Sequence, residues 1–264
     1  LGLIGLGVEH FIFGQFVTAR APAWPEAVPG GVVWAYLTGA GFVIAGAAIL
    51  AGRRARVAAV LAGALIFVWA LLRNIPLVAG DAFFGGYWTN AGKSLVFFAG
   101  AFAIAGTRPP VEASREGRLL RFVNGRGGFL RLGRVALGAF FLMTGIQHYL
   151  HTPFVASLIP GWFPGDPVFW TRFAGVALVA GGVGMNAPWT ARLASLLSGL
   201  MVFAWFWIVH LPRAFASASD GMAVFEALAV AGLAFVLAGD AGVGRRRRSG
   251  RDAAVAERSV GARV

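Results

Sequence analysis

Residues 7–24 read GVEHFIFGQFVTARAPAW, and residues 145–162 read GIQHYLHTPFVASLIPGW. Sliding the chain by 138 positions lays Gly7, His10, Phe16, Val17, Pro22 and Trp24 on Gly145, His148, Phe154, Val155, Pro160 and Trp162. At an offset of 136 the match continues, with Trp34, Gly39, Gly46, Arg56, Gly63, Phe67, Trp69 and Pro76 on Trp170, Gly175, Gly182, Arg192, Gly199, Phe203, Trp205 and Pro212. Rare residue types recurring in one order point to an internal duplication. The expected organisation is a first unit over residues 1–107, a polar Arg- and Gly-rich linker over 108–131, a second unit over 132–240 and a basic, disordered tail over 241–264.

Outward from the repeat, the chain is oily. Of 264 residues, 58% are hydrophobic and 13% charged, and the mean hydropathy is +0.73, more than a soluble core requires. A bilayer core of about 30 Å takes about 20 apolar residues per helix. Breaks at Gly, Pro and Arg clusters predict spans near Leu1–Phe16, Val32–Leu50, Ala55–Leu72, Trp88–Gly106, Phe129–Leu150, Val168–Met185, Ala191–Leu211 and Met222–Ala238. The expected fold is thus an all-α membrane protein of eight transmembrane helices, arranged as two tandem four-helix units. An even number of spans per copy makes the copies parallel and puts both termini on one side.

Charge sets the orientation. Arg53, Arg54 and Arg56 lie in the second loop, Arg192 in the sixth, and most of the rest in the linker and the tail Arg245, Arg246, Arg247, Arg248 and Arg251. The odd loops hold little more than Arg20, Arg73 and Arg213. The positive-inside rule then places both termini in the cytoplasm. The net charge of +12 is accounted for by these segments, so anionic lipid headgroups are the expected partner and nucleic acid is not. The long odd loops, Ala19 to Gly31 and Thr152 to Pro167, are rich in Pro and carry Trp24 and Trp162; they are expected to cap the outer interface, where tryptophan prefers to sit.

Two further readings bound the chemistry. The chain has no cysteine, which removes disulfides, thiolate metal sites and thiol redox chemistry of its own. Glu9 and His10 interrupt the first apolar run, which argues against a cleaved signal. Because Leu1 aligns with Ala139, the first copy lacks the counterpart of Arg131 to Gly138, and native residues are expected to precede Leu1.

Ionisable groups inside a bilayer are costly and mark function or interhelical pairing. In the second copy the polar candidates are Gln147, His148 and His151 at the end of the first helix, His210 after Trp205 and Trp207 at the end of the third, and Glu226 opening the fourth. Glu9, His10, Arg73, Asn74 and Lys93 are their first-copy equivalents or neighbours. His148 and His151, three residues apart, are expected to share a helix face and to converge with His210 on one pocket. Such a pocket suits a quinone or other small substrate, with histidine donating to a carbonyl oxygen and Glu226 exchanging protons. The same residues equally suit a plain interhelical hydrogen-bond network. Two sharper alternatives are a b-type haem between His148 and His210 and a divalent metal on His148, His151, His210 and Glu226. Asn74 in place of the second histidine argues against the haem, and no tight ligand motif supports the metal.

At Gly145, Ile146, Gln147, His148, Tyr149 and at His210, Leu211, Pro212, each echoed in the first copy, the chain resembles the DoxX-like family of bacterial membrane proteins. The resemblance implies a four-helix unit in each copy and a bacterial cytoplasmic membrane location. It also implies an association with membrane redox systems: relatives include the small membrane subunit of thiosulfate:quinone oxidoreductase and partners of thiol and superoxide detoxification enzymes. Asn74 departs from the histidine at His210, so the first copy is expected to have lost a site the second retains. The expected function is a membrane subunit serving quinone-linked electron transfer or oxidative-stress defence, with redox partner subunits. The rivals are a small-solute transporter or channel lined by Glu9, Arg73, Lys93 and Glu226, and a scaffold subunit without a site.

Overall fold

The computed structural model describes residues 1–17, 22–109, 125–217 and 220–261, and every element among them is helical. In chain order these are α1 (Gly2–Phe13), α2 (Gly31–Leu50), α3 (Ala55–Gly80), α4 (Gly85–Thr107), α5 (Arg126–Leu150), α6 (Thr152–Ala156), α7 (Pro167–Gly184), α8 (Ala191–Trp205), a π-helical turn (Phe206–His210), α9 (Leu211–Ala216) and α10 (Gly221–Gly261). Among the described residues, six stretches are long and apolar enough to cross a membrane: α2, α3, Gly127–Leu150 of α5, α7, the continuous run Ala191–Ala216, and Gly221–Gly242 of α10. The apolar helix α1 is shorter. The helix α4 has the length but carries Thr89, Asn90 and Lys93 in its first turns, and it is not among the six.

Helix ends differ from the sequence reading for local reasons. α1 stops at Phe13 rather than Phe16 because Gly14 adopts φ +61°, the left-handed cap that glycine takes without steric cost. α3 runs beyond Leu72 to Gly80 with Pro76 inside it, so Arg73 and Asn74 lie within a helix and not at its end. Part of the segment expected as loop between α5 and α7 is the short helix α6, with Pro153 in its first turn. α7 starts where Asp166 accepts hydrogen bonds from the Val168 and Phe169 amides, an N-cap of the usual kind. The backbone of α10 stays helical to Gly261, where a disordered tail was expected. Most of the 108–131 linker and Arg20 lie outside the described residues, as do the tail arginine side chains.

The most extensive packing joins α4 to α5, α3 to α4, α8 to α10, α5 to α7 and α1 to α2. α10 also meets α4 and α1, so the first and last helices pack together. Inside are two aromatic-rich clusters, one around Phe42, Trp69, Phe98 and Phe102, the other around Leu137, Phe141, Phe206 and Leu237. Outside, Leu37 and Ile44 of α2, Leu61 and Leu72 of α3, Val176 of α7 and Leu193 and Leu200 of α8 are exposed. Soluble proteins rarely expose so much contiguous apolar surface, whereas a bilayer is a matched solvent for it.

The histidine-bearing helices are held by backbone contact. A Cβ on Gly145 would lie 2.8 Å from the Gly175 carbonyl oxygen, and one on Gly7 would lie 2.6 Å from that of Gly39. Only a residue without a side chain lets α5 cross α7, and α1 cross α2, this closely.

Arginines gather at one end of the bundle. Arg56, which the sequence suggested was a loop charge, is buried and donates to the Arg108 carbonyl oxygen at 2.5 Å. Arg134 pairs with Asp240 at 3.4 Å. Within α5, Arg134 and His148 are fourteen residues apart, so the histidine lies about 21 Å along the helix from the arginine.

Candidate functional site

His148 occupies the last turn of α5, where its Nδ1 lies 2.7 Å from the Thr144 carbonyl oxygen. A carbonyl oxygen can only accept, so the neutral ring carries its proton on Nδ1 and Nε2 is left with a lone pair. Trp205 of α8 stacks on the imidazole, with centroids 6.1 Å apart and planes at 23°. Beyond Trp205 the helix widens into the π turn, in which the Leu211 amide bonds to the Phe206 carbonyl oxygen five residues back. Pro212, which supplies no amide and crowds the preceding turn, follows at once, and His210 ends the widened turn. Single π turns recur at functional sites.

Between these elements and α7 lies a cavity of about 380 Å³, covered by residues of the segment 155–163. His148, His210, Thr171, Trp170 and Trp205 contribute its polar groups and indoles, and the rest of its wall is apolar, including Phe173, Met201 and Ile208. Thr171 is only 1% exposed, and its Oγ1 has no hydrogen-bond partner among the described residues. A buried hydroxyl without a partner is uncommon and costly. The size, apolar wall and few convergent polar groups are those of a small-molecule site.

The first half builds the same histidine geometry and then fills it. His10 Nδ1 lies 2.7 Å from the Leu6 carbonyl oxygen, and Trp69 stacks on the ring with centroids 6.0 Å apart and planes at 28°. Phe16 and Phe42 close on the same imidazole at 5.8 and 6.1 Å, and Trp24 stacks over Phe16 at 5.5 Å. Phe16 is 9% exposed, whereas Phe154, aligned with it in the repeat, is 66% exposed. Phe42 aligns with the smaller Leu178, and Ala35 with Thr171. His10 is fully buried, and its Nε2 meets no hydrogen-bond partner among the described residues.

The ten residues singled out from sequence therefore fall into separate places. His148 and His210 share the cavity; His151 does not line it. α5 ends at Leu150, and His151 takes non-helical angles (φ −120°, ψ 34°), so helical spacing no longer puts it on the face of His148. Its Nε2 instead lies against Gly85 at the start of α4. Gln147 faces the same way, donating to the Gly85 carbonyl oxygen at 3.0 Å and accepting from Thr89 Oγ1 at 2.8 Å. These two residues stitch α4 to α5, as the interhelical network reading expects. Glu226 of α10 pairs with Lys93 of α4 at 2.6 Å. In α3, Arg73 donates to Asn74 Oδ1 at 3.4 Å; Asn74 is buried, as is Glu9 of α1. Among the described residues no three His, Cys, Asp or Glu side chains are grouped to hold a metal ion, so the set His148, His151, His210 and Glu226 is not assembled.

Two corrections of chemistry follow. The expected donation from histidine to a carbonyl oxygen does not fit neutral His148, whose proton is committed to Thr144; what remains is an acceptor. Thr171 was missed, although the repeat offered a signal: it is a hydroxyl where the first copy has Ala35.

Neither a curated protein nor a solved structure matches the chain. Residues 137–238, which run from α5 into α10 and include His148, Thr171, Trp205 and His210, match the model of a family described as a domain of unknown function (DUF8561).

Proposed function

We propose that the protein is a DoxX-like, eight-span subunit of the bacterial cytoplasmic membrane, with both termini cytoplasmic, and that its second half binds a lipid-soluble quinone for electron transfer. The observation that carries this reading is the cavity beside the stacked pair His148 and Trp205, inside a bundle whose outer surface is oil-like. A ligand arriving from the lipid phase needs an apolar wall, a flat aromatic neighbour for its ring and a few polar groups for its oxygens. Thr171 and His210 supply the last, since each can present a donor, and His148 supplies the ring stacked on Trp205. The parallel crossings of α1 on α2 and α5 on α7, each made through a glycine pair, support the tandem arrangement, with α1 and α4 as the additional spans. Electrons would pass to or from a partner subunit.

Titration of the detergent-purified protein with duroquinone is expected to quench tryptophan fluorescence saturably. His148→Ala, which removes the ring stacked on Trp205 and leaves its place in the cavity wall empty, should weaken binding by about tenfold. Phe215→Ala, at a position 86% exposed and away from the cavity, should bind as the parent does. Equal affinity in His148→Ala would reject the site.

A further inference from the structure

Taking that cavity as a ligand site, we infer that it is built for the hydroxylated state of a flat ring, a quinol or other phenol, and not for the oxidised quinone. The inference starts from hydrogen-bond direction. A quinone has only acceptor oxygens, whereas a quinol or phenol presents O–H groups that donate. His148 has its Nδ1–H committed to the Thr144 carbonyl oxygen, so the polar atom it has left for the cavity is Nε2, an acceptor. A quinone carbonyl facing that lone pair gains nothing and loses water; a phenolic O–H donates to it.

The remaining groups fit the same ligand: neutral His210, with one N–H and one lone pair, can meet an oxygen in either sense, so it is His148 that sets the direction. Trp205 fixes the plane of the imidazole from α8, and the indoles of Trp205 and Trp170 give the cavity aromatic surface for a ring. Thr171 supplies a hydroxyl that is 1% exposed and unpartnered among the described residues. Unlike His148 it can either donate or accept, so it serves a second ring oxygen in whichever sense that oxygen needs. The first half is the internal contrast: it repeats the acceptor geometry at His10, has Ala35 in place of the hydroxyl, and occupies the ring's place with Phe16 and Phe42. In effect the first half carries its own aromatic rings where the second leaves space for one.

The test uses three probes of nearly one shape, duroquinol, duroquinone and duroquinol dimethyl ether, titrated anaerobically into the full chain in detergent by calorimetry. Duroquinol is expected to bind about tenfold more tightly than either of the others, the ratio that one net hydrogen bond supports. His148→Phe, which keeps an aromatic partner for Trp205 but removes the acceptor, should abolish that preference while leaving duroquinone affinity within about twofold. Thr171→Val, close in shape, should weaken duroquinol without reversing the order. Duroquinone binding as tightly as duroquinol, or more tightly, would overturn the inference and leave the quinone-site reading standing. Binding of none of the three would overturn both.

Discussion

Lys93→Met is expected to lower the unfolding free energy of the detergent-solubilised protein by about 3 kcal/mol, the lower end of the usual cost of removing one partner from a buried ion pair, because the lysine side chain is 27% exposed and only the carboxylate, at 7%, is enclosed. Lys93 Nζ lies 2.6 Å from Glu226 Oε2, and Glu226 is itself only 5% exposed. The methionine side chain fills much of the same space, so packing loss is small and the penalty is electrostatic: a carboxylate left in a low-dielectric interior without its counter-charge. The sign of the pair's own contribution is a separate matter. Lys93→Met combined with Glu226→Leu removes both charges together, and such a replacement is often neutral or stabilising. The double variant should therefore regain most of the loss, as read from denaturant midpoints. If Lys93→Met alone cost under about 1 kcal/mol, the pair would not hold α4 to α10.

Phe42→Ala should cost about 3–5 kcal/mol, the range found for large aromatic truncations in packed interiors. Phe42 is 2% exposed and lies against both His10 and Trp69, with Phe16 completing the enclosure. Transfer to lipid offsets little of this, because the penalty comes mainly from lost contacts around a void. The same substitution should hollow the first half beside His10, bringing it closer to the second half with its smaller Leu178. A thermal midpoint unchanged from the parent would mean that Phe42 is not the plug of the first site.

How far the sequence discloses this structure depends on whether a feature is local. Helices were legible because their apolar lengths and their Gly and Pro breaks are local; one end moved where a local device intervened, at Gly14, while α3 and α10 ran on past the ends read from the sequence. The placing of His148 and His210 on one cavity followed from their positions at the ends of helices that run to the same side. The exclusion of His151 did not, because helical spacing was carried one residue past the point where α5 stops. The Lys93–Glu226 pair joins residues 133 positions apart, and no periodicity reports such a contact. The two halves also differ in orientation, with Phe16 buried in the first and Phe154 exposed in the second. A phenylalanine aligned with a phenylalanine gives no hint of which one turns inward.

The central claim is that of two equivalent histidines, each held from below by an i−4 carbonyl and stacked on a tryptophan, only the one in the second half is open. Diethyl pyrocarbonate acylates the unprotonated ring nitrogen of accessible histidines, and with four histidines in the chain each can be followed by peptide mass spectrometry. In the folded, detergent-solubilised protein, His148 should be modified, duroquinol should slow that modification, and His10 should stay unmodified until the protein is denatured. Modification of His10 at the rate of His148, or a His148 that stays unmodified in the folded state, would contradict the account.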